Sequence, residues 1–388
     1  MKIYSKQNVY DKSIERINRL FDEFDNVVVG FSGGKDSTAC LNLTLEVAEK
    51  RNRLPLKVLW IDQEAEWQGT ADYCEKVFAD PRVEPMWFQM PMKWYNNVSA
   101  HSKYIHIWEE GKKHMREQSP IAIKENVYLD FGFQELFQKI FEVHFPNQKS
   151  CYIAGMRTEE SPKRMMVLTS ALTYKDITWG KKLNKEYEHF TFYPIYDWSY
   201  SDVWKYILDN KIEYNKIYDA MFTHGVKVQD MRISNLHHET AIQNLLLIQE
   251  IEPDTWNKIA ERIDGANAIK HLKTDAFKCP KDLPFMFSSW REYALYLAEN
   301  LTDDYEFNRK LNKHIEKNSK YMVSNKVYVD FYKTIIKTIL SQDFDFTKLS
   351  NFLTGQYFNT VKKYVNGKLN KDNIEINRKY DKYVKGLI

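Results

Sequence analysis

The stretch Val27-Val28-Val29-Gly30-Phe31-Ser32-Gly33-Gly34-Lys35-Asp36-Ser37-Thr38 constrains this 388-residue chain more than any other. It opens as a β-branched run, the pattern of a buried strand. It then breaks at Ser32-Gly33-Gly34 and continues as an apolar, helix-like stretch through Ala39, Leu41, Leu43, Leu45 and Val47. The expected unit is strand, glycine loop, helix. Glycines let the backbone approach a ligand and take positive φ. N–H groups of the loop and of the helix N-terminus then converge on one spot, where the helix dipole also favours an anion. Ser32, Ser37 and Thr38 add hydroxyls, and Lys35 adds a cation.

The spacing excludes a Walker A loop, which needs four residues between its first Gly and its Gly-Lys-Ser/Thr. Ser-Gly-Gly-Lys-Asp-Ser instead resembles the pyrophosphate loop (PP-loop) of the N-type ATP pyrophosphatases. That superfamily includes phosphoadenosine phosphosulfate (PAPS) reductases, ATP sulfurylase small subunits, GMP synthetase and tRNA-thiolation enzymes. The resemblance implies an adenine nucleotide α-hydrolase-like fold and a nucleotide held by Ser32, Gly33, Gly34, Lys35, Asp36, Ser37 and Thr38.

Helix and strand patterns alternate around this unit. Tyr10, Ile14, Ile17, Leu20, Phe21 and Phe24 recur at helical spacing. Lys57–Ile61 reads as a second buried strand ending at Asp62, where a parallel sheet places ligand-binding residues. A helix through Val77 follows, then a possible strand from Val83 to Met90. The pattern predicts an α/β fold, a doubly wound parallel sheet, with a mainly helical C-terminal region. Residues 91–150 break the rhythm and read as an insertion. There His101, Lys103, Tyr104, His106, Trp108, Lys112, Lys113, His114 and Arg116 interleave basic and aromatic side chains. Such a mixture suits a polyanion, a nucleotide or a solvated surface.

A further strand is expected at Cys151–Gly155, running into Met156-Arg157-Thr158-Glu159-Glu160-Ser161-Pro162-Lys163-Arg164. Pro162 suits a first helical turn, so a helix is expected from about Ser161. Arg157, Lys163 and Arg164 cluster there, with Gly155, Glu160 and Ser161 in a Gly-x-Arg-x-x-Glu-Ser-x-x-Arg spacing that resembles a PAPS reductase family motif. Arg157 and Arg164 are expected to form an anion site separate from the glycine loop. The stretch Pro194–Trp204 resembles the family's Pro-x-x-Asp-Trp and Asp-Val-Trp pattern. Within it Ser199 or Ser201 is expected to cap a helix through Leu208, and Asp197 either faces the site or tethers its loop.

The chain departs from the reductases at Thr223–Arg232, which holds no cysteine where the family carries its redox thiol. Cys40, Cys74, Cys151 and Cys279 form no CxxC and read as small buried residues of a reducing compartment. A thiol nucleophile and an iron–sulfur cluster are therefore not expected. The residues after Arg232, with the His101–Trp108 insertion, resemble a DUF3440-type subgroup of PAPS reductase-like proteins. Its named member is the immunoglobulin-binding regulator A, a co-activator of prophage gene expression. That resemblance implies a ParB-like partner. The expected division is 1–220 for the ATP pyrophosphatase domain and 221–388 for the helical region, with helices at Trp290–Leu301 and Val327–Leu340. The net charge of +3 argues against a general nucleic-acid binder. No signal-peptide core and no run of about eighteen apolar residues is present, so a cytoplasmic protein is expected.

The resemblance implies cleavage of ATP between its α and β phosphates, adenylation of an acceptor and release of pyrophosphate. Lys35, Asp36, Arg157 and Arg164 would carry that chemistry, with Mg²⁺ on Asp36 or Asp62. Two other readings stay open: a PAPS or APS site of sulfur metabolism without the resident thiol, and a regulatory nucleotide-sensing subunit.

Overall fold

The computed structural model describes residues 6–366 except 97–103, 129–132, 170, 184–185, 234, 237–241, 264–265, 267–278, 303, 342 and 344. Strand β1 (Asn26–Gly30) lies at the centre of a six-stranded sheet. Its three valines are buried, as expected of a parallel strand covered on both faces. On one side it pairs with β2 (Leu56–Ile61), Val29 opposite Val58, and β2 pairs with β3 (Val83–Phe88). On the other side it pairs with β4 (Ser150–Ile153), Val29 opposite Ile153. Beyond β4 lie β6 (His189–Phe192), parallel, and β5 (Gly180–Lys182), the antiparallel edge. The chain thus builds outward from β1 in both directions, so the carboxyl ends of β1 and β4 flank the topological switch point, where such sheets bind ligands.

Helices cover both faces. Helix α1 (Val9–Glu23) starts at Asn8, whose side chain accepts from Asp11 N–H. It packs beside α2 (Lys35–Lys50), the helix that the glycine loop opens. Ile17, Leu20, Val27, Leu43, Phe192 and Trp198 share that core. Helix α3 (Gln68–Phe78) has no side-chain cap of its own. Its first N–H groups, on Gln68 and Gly69, donate instead to the Glu252 carboxylate, each at 2.8 Å, which satisfies donors that a helix leaves open. Helix α4 (Phe133–His144) sits in the expected insertion, as does a separate antiparallel hairpin, Met92–Tyr95 with Tyr104–Ile107. Helix α5 (Pro162–Thr169) begins at the expected proline. Helix α6 (Tyr200–Asp209) begins after Ser199, which forms a capping box with Asp202. Asp197 is a tether: its carboxylate takes both guanidinium nitrogens of Arg16, at 2.8 and 2.7 Å.

The chain divides into two compact units, residues 1–95 with 104–262, and 96–103 with 263–388. The first runs past residue 220, the expected boundary, because later residues complete the sheet's loops: Arg262 pairs with Glu64, Leu236 N–H donates to Ala65 O, and Glu252 caps α3. The second unit is helical, with helices Trp290–Leu301, Tyr305–Asn318, Asn325–Leu340, Thr347–Thr354 and Gln356–Val365. Its core holds Phe331, Ile335, Ile336, Leu349 and Phe358. Among the described residues no helix is long and apolar enough to cross a membrane.

Candidate functional site

The loop after β1 is held open by two close approaches. Gly33 has φ +68°, and a Cβ there would meet Thr70 Cγ2 at 2.8 Å and Cys74 Sγ at 3.0 Å. Only glycine takes this conformation and fits this space at little cost. A Cβ on Gly155, beyond β4, would lie 2.7 Å from the Asp36 carbonyl oxygen. The β4 loop and the first turn of α2 are therefore in backbone contact. Ser37 closes the loop locally, donating from Oγ to Gly34 O at 2.9 Å and accepting from Ser32 N–H at 3.3 Å. Lys35 N–H donates to Tyr218 Oη at 3.0 Å.

These groups face a cavity of about 970 Å³, lined by Ser32, Gly34, Lys35, Asp36 and Ser37 on one side and by Gly155, Arg157, Glu160 and Arg164 on another. Arg157 is buried, and its Nε donates to Asp36 Oδ1 at 2.5 Å while Nη1 reaches Glu159 at 3.1 Å. Lys35, also buried, sits 3.3 Å from Asp36 Oδ2 and donates from Nζ to Met231 O at 3.1 Å. Arg164 pairs with Glu160, and Ser161 Oγ accepts from Arg164 N–H at 3.2 Å. Burial, with Arg157 and Arg232 nearby, holds the Lys35 ammonium below its usual range against the pull of Asp36. Burial and then Arg232 lower Arg164 in the same way. Cations and carboxylates thus alternate along the cavity wall.

Several sequence expectations change here. Arg157 does not belong to a separate site: it is locked onto Asp36, in the first turn of α2. Thr38 turns away from the cavity, fully buried and 3.1 Å from Tyr73 Oη. Asp62 is also fully buried. Its oxygens accept from Trp87 Nε1 at 3.1 Å, Gln89 Nε2 at 2.8 Å and Glu64 N–H at 3.0 Å, and it pairs with Arg116. With its lone pairs committed, it cannot hold a metal or a nucleotide. His101 and Lys103 lie outside the described residues, as does the side chain of Lys163. Trp108 and Arg116 are drawn inward, Trp108 Nε1 to Asp62 O at 2.7 Å and Arg116 Nη1 to Glu64 O at 2.6 Å.

Other residues that carry no local motif support the site or line it. Glu64, buried at φ +63°, takes Arg262 through both nitrogens at 2.8 and 3.0 Å. Glu66 and Gln63 line the cavity with Asn235. With its amide oriented to suit both neighbours, Asn235 donates to Glu66 and accepts from Gln63 Nε2 at 2.8 Å. Burial pushes the Glu66 carboxyl up to about 8, with Asp62 adding to the shift. Tyr218 and Arg232 also line the cavity. No local motif marks them, because their partners lie far away in sequence.

Residues 26–224 match the phosphoadenosine phosphosulfate reductase domain, about half of the chain, and residues 225–382 match the Domain of unknown function (DUF3440). The chain belongs to the phosphoadenosine phosphosulfate reductase domain family, and its first unit is a PAPS reductase-like nucleotide-binding domain. It is 27% identical over 316 residues to the uncharacterized protein YbdN of Escherichia coli K12, spanning 78% of this chain and 77% of that protein. It is 24% identical over 229 residues to sulfate adenylyltransferase subunit 2 of Shewanella pealeana, spanning 55% of this chain and 67% of that one. Among solved structures, FMN adenylyltransferase of Candida glabrata aligns over 60% of this chain and 65% of that one, at 12% identity and TM-score 0.37. PAPS reductase of Candida auris aligns over 61% and 98%, at 14% identity and TM-score 0.30.

Proposed function

We propose that this chain binds ATP on the glycine loop and cleaves it between the α and β phosphates, adenylating an acceptor and releasing pyrophosphate. The observation that carries this reading is the loop itself: Ser32–Ser37 opens α2 into the cavity, with Lys35 and Arg157 both set against Asp36. The loop hydroxyls, Lys35 and the helix N-terminus hold the β and γ phosphates. The acceptor's lone pair attacks the α-phosphorus, and the bond to the α–β bridging oxygen breaks. Pyrophosphate departs with that electron pair, and the acceptor's proton passes to solvent. Lys35 and Arg157 stabilise the charge that develops on the leaving group, and Arg164 faces the acceptor's anionic group.

Mg²⁺ bound with a nucleotide takes one or two carboxylates, with phosphate and water oxygens as its other ligands. Asp36 fits as one such carboxylate, shared with Arg157 and Lys35. Asp62 does not fit, and among the described residues no group of three acidic, histidine or cysteine side chains could hold a metal. When bound, the ion would neutralise charge on the departing pyrophosphate.

A second reading, a PAPS or APS site, draws support from Arg164 and Arg232, which offer cations beyond the glycine loop. A thiol-based reduction gains none. Cys40, Cys74 and Cys151 are buried, Cys279 belongs to the helical unit, and burial raises all four thiols. Membership of the immunoglobulin-binding regulator A subgroup, a cytoplasmic setting, a ParB-like partner and the functional division at 220/221 belong to the same proposal. The test is pyrophosphate release from ATP, alone and with cell extract. Acceptor-dependent release supports adenylation. Tight ATP binding with no release under either condition favours a nucleotide-sensing subunit, and binding of PAPS but not ATP favours the second reading.

A further inference from the structure

We infer that Arg232 is an oxyanion-binding residue of this cavity, delivered by the opening residues of the DUF3440 region. The inference rests on the cavity being a phosphate site, as proposed above, and goes beyond it by giving the second family region a part in that site. Residues 225 onward match DUF3440, yet Gln229, Asp230, Arg232, Ile233 and Asn235 line the same cavity as the glycine loop. The segment is pinned on both sides of Arg232. On one side, Met231 O accepts from Lys35 Nζ at 3.1 Å. On the other, Leu236 N–H donates to Ala65 O at 2.8 Å and Asn235 engages Glu66. Residues on either side of Arg232 are therefore tied to the glycine loop and to the loop after β2.

The side chain of Arg232 reaches toward the helix that carries Arg164, with Nη2 3.4 Å from Glu160 O. Its charge acts on both Lys35 and Arg164, depressing each. Arg232 is exposed at the cavity wall, and a tetrahedral oxyanion with several acceptor oxygens suits diverging Lys and Arg donors. Lys35 has three N–H donors, so it can keep Met231 O and still bind a phosphate oxygen. The anion best placed for Lys35 and Arg232 together is the terminal phosphate that rests on the glycine loop.

The test is calorimetric binding of inorganic pyrophosphate and of ATP to the full chain, with Arg232→Ala, Arg232→Gln and Arg232→Lys compared with the parent. Loss of one charge-assisted contact predicts about tenfold weaker binding of both ligands to the Ala and Gln variants, with partial recovery in the Lys variant. Thermal unfolding identifies any variant that fails to fold, and the others then decide. Binding of both ligands within about twofold of the parent in the Ala and Gln variants overturns the inference and leaves the ATP reading standing. Pyrophosphate binding that depends on Arg232 without any ATP binding upholds the inference and removes the ATP reading. A parent chain that binds neither ligand overturns both.

Discussion

The loops after β1 and β2 leave the sheet side by side at its carboxyl edge, yet they use most of their charged groups differently: of the second loop's polar side chains, Gln63 and Glu66 reach the cavity and Asp62 and Glu64 do not. After β1, Ser32, Lys35, Asp36 and Ser37 line the cavity. After β2, Asp62 and Glu64 turn inward and are spent on Trp87, Gln89, Arg116, Trp108 and Arg262. The first loop presents its polar groups to the cavity. The second is built to hold the insertion and the end of the first unit onto the sheet. Position at a strand's carboxyl end therefore marks a place for function without saying which side chains perform it.

The largest expected effect breaks the second loop. Asp62→Ala strands Arg116, a buried cation, and should cost about 3–5 kcal/mol of stability in denaturant unfolding. Whatever fraction stays folded should still bind ATP, because Asp62 does not face the cavity. A variant that keeps full stability but loses ATP would reverse the roles assigned to the two loops.

Gly155→Ala should come next. A Cβ 2.7 Å from the Asp36 carbonyl forces β4 away from α2, and overpacking of this kind costs about 1–3 kcal/mol. Since the strain falls on the first turn of α2, ATP binding should fall together with the melting temperature. Unchanged ATP affinity would show that the contact between β4 and α2 does not set the loop's geometry.

Glu66→Gln should have an effect that depends on pH. The folded chain holds this carboxyl at about 8, above the ordinary value of 4.5. The folded state thus binds a proton that the unfolded state releases between those values. The stabilisation is complete below 4.5, declines as pH rises, and is gone above about 8. The wild-type slope should approach about 1.4 kcal/mol per pH unit at most, and the Gln variant should flatten it. Parallel pH profiles for the two proteins would show that Glu66 is ionised when folded.

The contrast between the loops also explains what was legible in the sequence. Strand, glycine loop and helix were readable at Val27–Thr38 because the residues that define them are neighbours in the chain. A cap at Ser199 or Ser201, and a helix start near Ser161, were readable for the same reason, and the structure places them at Ser199 and Pro162. The pairing of Arg157 with Asp36 was not, since 121 residues separate them. Nor was the burial of Asp62, which depends on Arg116 arriving from an insertion that reads as a solvated surface. Thr38 shows the limit within the motif itself: adjacent to Ser37, it points to Tyr73, because helical rotation turns neighbouring side chains to different faces.

The central claim, that the first loop is a nucleotide phosphate site, is tested most directly by calorimetric titration of ATP into the wild type and into Lys35→Ala with Ser37→Ala. Each substitution removes a direct or charge-assisted contact worth about 1–3 kcal/mol. ATP affinity should be at least about tenfold weaker in a double variant whose unfolding curve matches the wild type. Equal affinity in the two folded proteins would contradict the claim.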